Sequence, residues 1–198
     1  MARTIAKDHD QKRGQILKSA AKVFADQGFD RASMSLLARE CGISKANIYH
    51  YYDSKDALLF DILETYLRGL RDRVCGVDLS GSNPPEALHA AILQILLAYQ
   101  GADDEHRVQS SGLGVLSAQQ QKTLVGYQRE MVQFLSDILA RVAPGVFSNH
   151  PGKLRATTMS VFGMLNWFYM WCPDADEAAR KDYASLVSNL TLGGLHSL

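Results

Sequence analysis

Between residues 45 and 51 the chain reads Lys-Ala-Asn-Ile-Tyr-His-Tyr, a run dense in side chains that suit a nucleic acid. Lys45 can donate to guanine or to phosphate, and Asn47 can pair with adenine. Tyr49 and Tyr51 can donate to phosphate or pack on a thymine methyl. His50 lies among them. Ser54 and Lys55 follow at the start of another helix, where backbone amides and an ammonium could hold the same phosphate backbone. The candidate DNA contacts are Ser33, Ser44, Lys45, Ala46, Asn47, Tyr49, His50, Tyr51 and Lys55. The plain alternative is a solvated face on a small three-helix domain. The convergence of so many phosphate-binding types at one turn weighs against it.

Two short helices must position those groups. Leu37, Ala38 and Cys41 fall at helical spacing on one face. Gly42 follows, the residue that most easily takes the left-handed backbone of a helix-ending turn. Ile43 can plug the corner, and Ser44 is a good N-cap for the second helix. Ile48 and Tyr52, four apart, give that helix a buried side. The pattern is a helix-turn-helix whose second helix suits a major groove.

The stretch from Arg13 to Leu59 resembles the DNA-binding domain of the TetR family of one-component regulators. The residues that carry the resemblance are Ile16-Leu17, Ala20-Ala21, Phe24, Gly28-Phe29, Ser33-Met34, Leu37-Ala38, Cys41 to Lys45, Ile48 to Tyr52, Lys55 and Leu58-Leu59. Family members usually have Phe where Tyr52 stands and often Ala where Cys41 stands. Both changes keep size and burial.

Composition sets the frame. The 198 residues are 46% hydrophobic and 21% charged, enough for one or two globular domains with a proper core. Formal net charge is zero, but residues 1–55 carry 10 Lys+Arg against 6 Asp+Glu, while residues 56–198 carry 11 against 15. A basic head on an acidic body puts the attraction for phosphate at one end. Cys41, Cys75 and Cys172 are far apart and form no CxxC pair, which reads as small buried thiols in a reducing, cytoplasmic setting. The N-terminus has no apolar core and does not read as a signal peptide. The most apolar run, Met159 to Cys172, is 14 residues and too short for a membrane span.

Strand signals are nearly absent, so the expected class is all-α with about nine helices. Residues 1–55 form the three-helix DNA-binding domain and residues 56–198 a larger effector-binding and dimerisation domain. Helix one is expected from about Gln11 to Gln27, and helix four from just after Ser54 to about Cys75. Helix four leaves the head for the body, so it can transmit movement. Gly76 to Pro85 reads as a linker, with helix five starting at Pro85. An acidic turn over Gly101 to Glu105, a short helix over Arg107 to Leu116 and a long one over Ala118 to Ala143 follow. Pro144 to Gly152 reads as loop, Lys153 to Trp171 as helix eight and Glu177 to Leu192 as helix nine.

Helix eight is apolar all round, which requires burial on all sides. In a small domain that calls for a partner, so helices eight and nine are expected to pair with those of a second copy, with Trp167, Trp171, Leu186 and Leu190 at the interface. The TetR family is typically built this way. A two-fold dimer implies a roughly palindromic double-stranded operator.

A regulator's body needs an input. Candidate effector contacts are Tyr99, Tyr127, Met131, Phe134, Met159, Phe162, Asn166 and Met170, with Asn166 the polar anchor of an otherwise apolar pocket. Taken singly, each aromatic or methionine also fits plain core. Asn166-Trp167 followed by Trp171 and Pro173-Asp174 resembles the C-terminal signature of a TetR subgroup that senses acyl-CoA thioesters. Ala2-Arg3-Thr4 through Asp8, Asp10, Arg13, Ile16-Leu17, Ser33-Met34 and Cys41-Gly42 resemble regulators of phenylacetate degradation within it. The resemblance implies a repressor released by an acyl-CoA such as phenylacetyl-CoA. The subgroup often has Gly after the Pro-Asp pair, where Ala175 stands here. Arg107, Lys122, Arg129 and Arg155 are available for the effector's phosphates. A different hydrophobic effector on another catabolic or efflux operon, or no small-molecule input, are the alternatives.

Enzymatic motifs fail. Six residues, not four, separate Gly145 from Gly152, and Leu154 stands where a phosphate loop needs Ser or Thr. Gly112-Leu113-Gly114 lacks the third glycine of a dinucleotide site. The six histidines have no metal spacing. The expectation is no enzyme, no cofactor, no metal and no membrane.

Overall fold

In the computed structural model the described residues are 2–195 and Ser197, with side chains described from His9 onward. The side chains of Ala2 to Asp8, which share in the phenylacetate-regulator resemblance, and His196 lie outside the described residues. The chain runs α1 (Ala2–Gln27), α2 (Met34–Glu40), α3 (Lys45–Tyr51), α4 (Lys55–Cys75), α5 (Pro84–Ala98), α6 (Asp103–Gly112), a 3-10 turn (Leu113–Val115), α7 (Ala118–Val142), α8 (Pro144–Phe147), α9 (Pro151–Asn166), α10 (Phe168–Trp171) and α11 (Glu177–Leu195). No strand occurs among the described residues, so the class is all-α. No described helix is long and apolar enough to cross a membrane.

Two compact units emerge. The first holds residues through Leu67 together with Ala102–Leu124, and the second holds Arg68–Gly101 with Val125–Leu198. The boundary expected at residue 55 falls at the start of α4, whose first three turns belong to the first unit. Both α4 and α7 run unbroken through the division.

In the first unit α1 buries Ile16, Leu17, Ala20, Ala21 and Phe24, the stripe its 3.6-residue period predicts. Leu37 and Ala38 of α2, Ile48 of α3 and Leu58, Leu59, Ile62 and Leu63 of α4 close the core. Helix α6 joins this unit and packs along α1. The acidic residues Asp103, Asp104 and Glu105, expected in a turn, form the first turn of α6, where the helix macrodipole favours negative charge. Gly112 is buried because α6 meets α4 closely: a Cβ there would lie 3.2 Å from Leu59 Cδ1. Arg107 fastens α6 to the end of α1, donating to the Ala25 carbonyl at 2.9 Å and to Asp26 at 3.2 Å.

In the second unit α5 packs chiefly along α11, with α9 against both. Helix α5 starts one residue earlier than expected. Asn83 caps Glu86 N–H at 3.0 Å while Glu86 Oε2 accepts from Asn83 N–H at 3.1 Å, and Pro84 takes the first helical position. The expected loop after Pro144 contains the short α8, held by buried Phe147.

The single helix expected over Lys153 to Trp171 is instead two, parted at Trp167. Tyr183 Oη donates to the Met164 carbonyl at 3.1 Å, the acceptor that the Phe168 amide would use in an unbroken helix. Nor is that segment buried all round within one chain: Met159, Trp167, Met170 and Trp171 stand 47–61% exposed. The Pro173-Asp174-Ala175 loop forms without glycine because Asp174 itself takes the left-handed backbone, at φ 58°. Aspartate tolerates that region. Ala175 is buried, and its carbonyl accepts from Arg180 Nε at 3.2 Å.

Candidate functional site

The turn between α2 and α3 closes as a Schellman motif. Ile43 N–H donates to the Ala38 carbonyl and Gly42 N–H to the Arg39 carbonyl, each at 3.0 Å, with Gly42 at φ 65°. Each helix has a serine cap. Ser33 Oγ accepts from Leu36 N–H at 3.2 Å, and Ser44 Oγ accepts from Asn47 N–H at 3.1 Å. Replacing such a cap by Ala costs about 0.5–2 kcal/mol in general.

Helix α3 therefore stands at a fixed angle with Lys45, Ala46, Asn47, Tyr49 and His50 exposed together. Tyr51 is half-buried, its ring stacked on His9 of α1 at 4.8 Å between centroids. Exposed amide, ammonium, phenol and imidazole groups on one rigid face can donate to base edges and to phosphates. Ser33 and Ser44 act first as caps, so their contribution to this face is chiefly geometric.

Lys55, a candidate phosphate contact, is engaged within the protein. Its ammonium donates to the carbonyls of Phe29 at 2.9 Å, Asp30 at 3.3 Å and Ala32 at 3.4 Å, and lies 4.3 Å from the Phe29 ring centroid. Those three acceptors match the three donors of an ammonium. Lys55 thereby ties the α1–α2 loop to the start of α4.

A charged knot lies behind α3. Tyr52 Oη donates to Asp61 Oδ2 at 2.6 Å, Arg13 Nε donates to the same oxygen at 2.9 Å, and Arg13 Nη2 donates to Asp61 Oδ1. Thr65 Oγ1 joins it, at 3.3 Å from Arg13 Nη2 and 3.4 Å from Asp61 Oδ1. Burial, with the Asp61 hydrogen bond second, pushes the Tyr52 phenol well above its ordinary value, so it stays a neutral donor. The Asp61 hydrogen bond likewise raises Arg13. Sequence reasoning saw Tyr52 only as a bulky core residue and missed Asp61 altogether. The i,i+4 spacing of Asp61 and Thr65 was the only local signal.

Of the eight effector candidates, Met131 and Phe162 are buried, and Tyr99, Tyr127, Phe134 and Asn166 are half-buried. Met159 and Met170 lie on the exposed side, at 47% and 57% exposure. Tyr99 Oη donates to Asn166 Oδ1 at 2.7 Å. The Tyr99 ring is partly open, but its hydroxyl end is deep enough that burial pushes the phenol upward. The Tyr127 ring is covered by Arg71, 5.0 Å from its centroid, which also binds Glu130 and Asp72. Arg107, a candidate for effector phosphates, is engaged by Asp26 and Ala25. Lys122, Arg129 and Arg155 are exposed.

Trp167, Trp171, Leu186 and Leu190 are 52–61% exposed. Beside them an open groove of about 510 Å³ runs between α9 and α11, lined by Ala156, Ser160, Met164, Leu190 and Gly194 among others. Trp171 also meets Phe168 and Tyr183 edge-on, at 5.0 and 5.2 Å. No group of three or more metal-ligating side chains converges among the described residues.

A capped, exposed second helix on a helix-turn-helix, followed by a larger all-helical unit, defines a DNA-binding regulator of the helix-turn-helix class. The family description "Bacterial regulatory proteins, tetR family" matches residues 16–62, and "Tetracyclin repressor-like, C-terminal domain" matches residues 81–195. The chain belongs to the TetR family of bacterial transcriptional regulators. A TetR-family transcriptional regulator from Bordetella parapertussis 12822 is 32% identical, with 94% of this chain and 96% of that one covered at a TM-score of 0.84. The HTH-type transcriptional repressor NicS of Pseudomonas putida is 25% identical over 96% of this chain and 95% of its own length. AibR, solved in complex with isovaleryl coenzyme A and operator DNA, shares the fold at a TM-score of 0.75 and 23% identity, over 90% of this chain and 97% of that one. Three Bacillus subtilis regulators match over shorter stretches, the chain spanning only 29%, 26% and 46% of their lengths.

Proposed function

We propose that this protein is a homodimeric repressor in the cytoplasm that holds a roughly palindromic operator and releases it when an acyl-CoA thioester, such as phenylacetyl-CoA, enters its second unit. The observation that carries the DNA half is the exposed face Lys45, Asn47, Tyr49 and His50 on a helix capped at Ser44. Candidate contacts also include Ala46, for a thymine methyl, and Tyr51.

The dimer half rests on the exposed apolar face of α9, α10 and α11. Met159, Trp167, Met170, Leu186 and Leu190 are large apolar side chains exposed on these three helices, and the small residues of the α9–α11 groove suit close helix approach. The effector half rests on the Tyr99–Asn166 hydrogen bond as a polar anchor, with Tyr127, Met131, Phe134 and Phe162 as the apolar candidates. A fold neighbour was solved with an acyl-CoA and operator DNA, and a full-length relative is described as a repressor, which supports both parts of the reading.

Ligand and operator are then linked. If the effector weakens DNA binding, the operator weakens effector binding by the same factor, typically ~5–150-fold. The test is to add phenylacetyl-CoA, isovaleryl-CoA, free CoA or phenylacetate to a preformed protein–operator complex. Release by a thioester alone supports the reading, and the more potent thioester names the acyl group. Release by none would leave a DNA-binding regulator with another hydrophobic effector or with no small-molecule input.

A further inference from the structure

We infer that the Asp61 carboxylate, through the Tyr52 hydroxyl, sets the angle of the recognition helix and so acts as a positioning device for base readout. This rests on the DNA-binding reading of α3. Helix α3 has seven residues, and Ile48 is its one buried side chain. The α2–α3 turn holds its start and Tyr51 stacks on His9, but Ile48 is its single core anchor, so the tilt about that point depends on what holds the C-terminal end.

The second fixed point is Tyr52. It is the C-cap of α3, with its backbone extended and its N–H donating to the Ile48 carbonyl at 3.0 Å. Its ring is buried, and its hydroxyl reaches Asp61 on α4 at 2.6 Å. Arg13 of α1 grips both oxygens of that carboxylate in a fork. One carboxylate therefore ties the end of α3 to two other helices at once. The lever is short but sensitive. Lys45 and Tyr51 each lie three residues, roughly 4.5 Å, from Ile48, so a tilt of about 10° about that anchor moves either end by roughly 0.8 Å. A hydrogen bond to a base edge, which needs a donor–acceptor distance of about 2.7–3.2 Å, is lost or weakened by that displacement.

Tyr52 touches no DNA in this scheme. It is buried behind the helix, and its effect passes through the position of Lys45, Asn47 and Tyr49. A positioning role differs from a stabilising one in what it changes. Contacts with phosphates tolerate small tilts because long side chains adjust. Base contacts do not, so the ratio of operator to scrambled affinity moves while the fold stays intact.

The experiment uses the full chain, a duplex enriched by the wild-type protein from a random pool, and a scrambled duplex of the same composition. Tyr52→Phe keeps the ring and its packing and removes one oxygen. Operator affinity should fall about tenfold, the size of one lost base contact, with scrambled affinity within about twofold of wild type. Asp61→Asn, which keeps the shape but weakens both grips, should lower the ratio further. Melting temperatures taken alongside show that both variants are folded at the assay temperature. Equal losses on both duplexes, or an unchanged ratio with a lowered melting temperature, would overturn the inference and leave the knot merely structural. A wild-type chain that enriches no duplex would instead sink the DNA-binding reading itself, and this inference with it.

Discussion

Lys55 offers the sharpest single test of how the head is built, because two roles for it predict opposite measurements. In the structure its ammonium serves three carbonyls of the α1–α2 loop, and the best of these bonds is 2.9 Å long. A hydrogen bond to a charged group contributes about 1.5–3 kcal/mol, and an exposed cation–π contact about 0.5–1 kcal/mol. The two weaker bonds add little, and partial solvent access at Lys55 discounts the whole, leaving about 2 kcal/mol. Lys55→Met keeps the apolar stem and removes the charge. For a chain of this size 2 kcal/mol corresponds to a fall in Tm of about 4–8 °C. Differential scanning calorimetry supplies that number, and DNA binding across a salt series supplies the other. With an internal Lys55 the salt slope of the folded variant stays close to wild type. An unchanged Tm together with a slope reduced by about one phosphate contact would refute the structural assignment and restore the direct contact.

Further outcomes follow from other parts of the molecule. Asn166→Leu removes the hydrogen bond from the Tyr99 hydroxyl to Asn166 and should cost about 1 kcal/mol, much of it recovered in the double variant with Tyr99→Phe. Thermal unfolding of the three proteins checks this, and no recovery would mean that the pair does not act as a unit. If the proposed dimer forms through α9–α11, Leu190→Glu should turn it into monomers in sedimentation. It is a cleaner probe than Trp171, which packs on Phe168 and Tyr183 within its own chain, and an intact dimer would move the interface elsewhere. Burial raises the thiol pKa of Cys41 and of Cys75, so at pH 7 each holds less thiolate than a free cysteine. Both should react more slowly with a disulfide reagent than a small thiol does, and fast reaction at either would contradict their sheltered placement.

Much of the head was legible in the sequence because its rules are local. The 3.6-residue stripes, Gly42 at the turn and the serines at positions 33 and 44 each act within four or five residues of themselves, and each landed where the pattern put it. Helix α4 was bounded to the residue for the same reason. What the sequence did not show depended on partners distant in sequence. The Lys55 ammonium meets carbonyls some 25 residues away, and Asp61 meets an arginine 48 residues away. No periodicity encodes such a meeting. Helix eight misled because an apolar run was read as one uninterrupted helix. Tyr183 takes the Met164 carbonyl and parts it, a choice made by tertiary contact. The exposure of Met159 and Met170 was not legible for a related reason: hydrophobicity says that a side chain seeks cover, and not whether its own chain or another provides it. The loop at Asp174 shows the reverse case, where a missing glycine was made good by the neighbouring aspartate.

The central claim is that α3 reads DNA. The purified protein should be titrated, by fluorescence anisotropy, onto DNA from the region upstream of its own gene and onto an unrelated duplex of equal length, over a range of salt concentrations. Tight binding to the upstream duplex is predicted, weakening steeply with salt and at least ~10³-fold stronger than to the unrelated one. Equal affinity for both duplexes, or no binding at low salt, would contradict it.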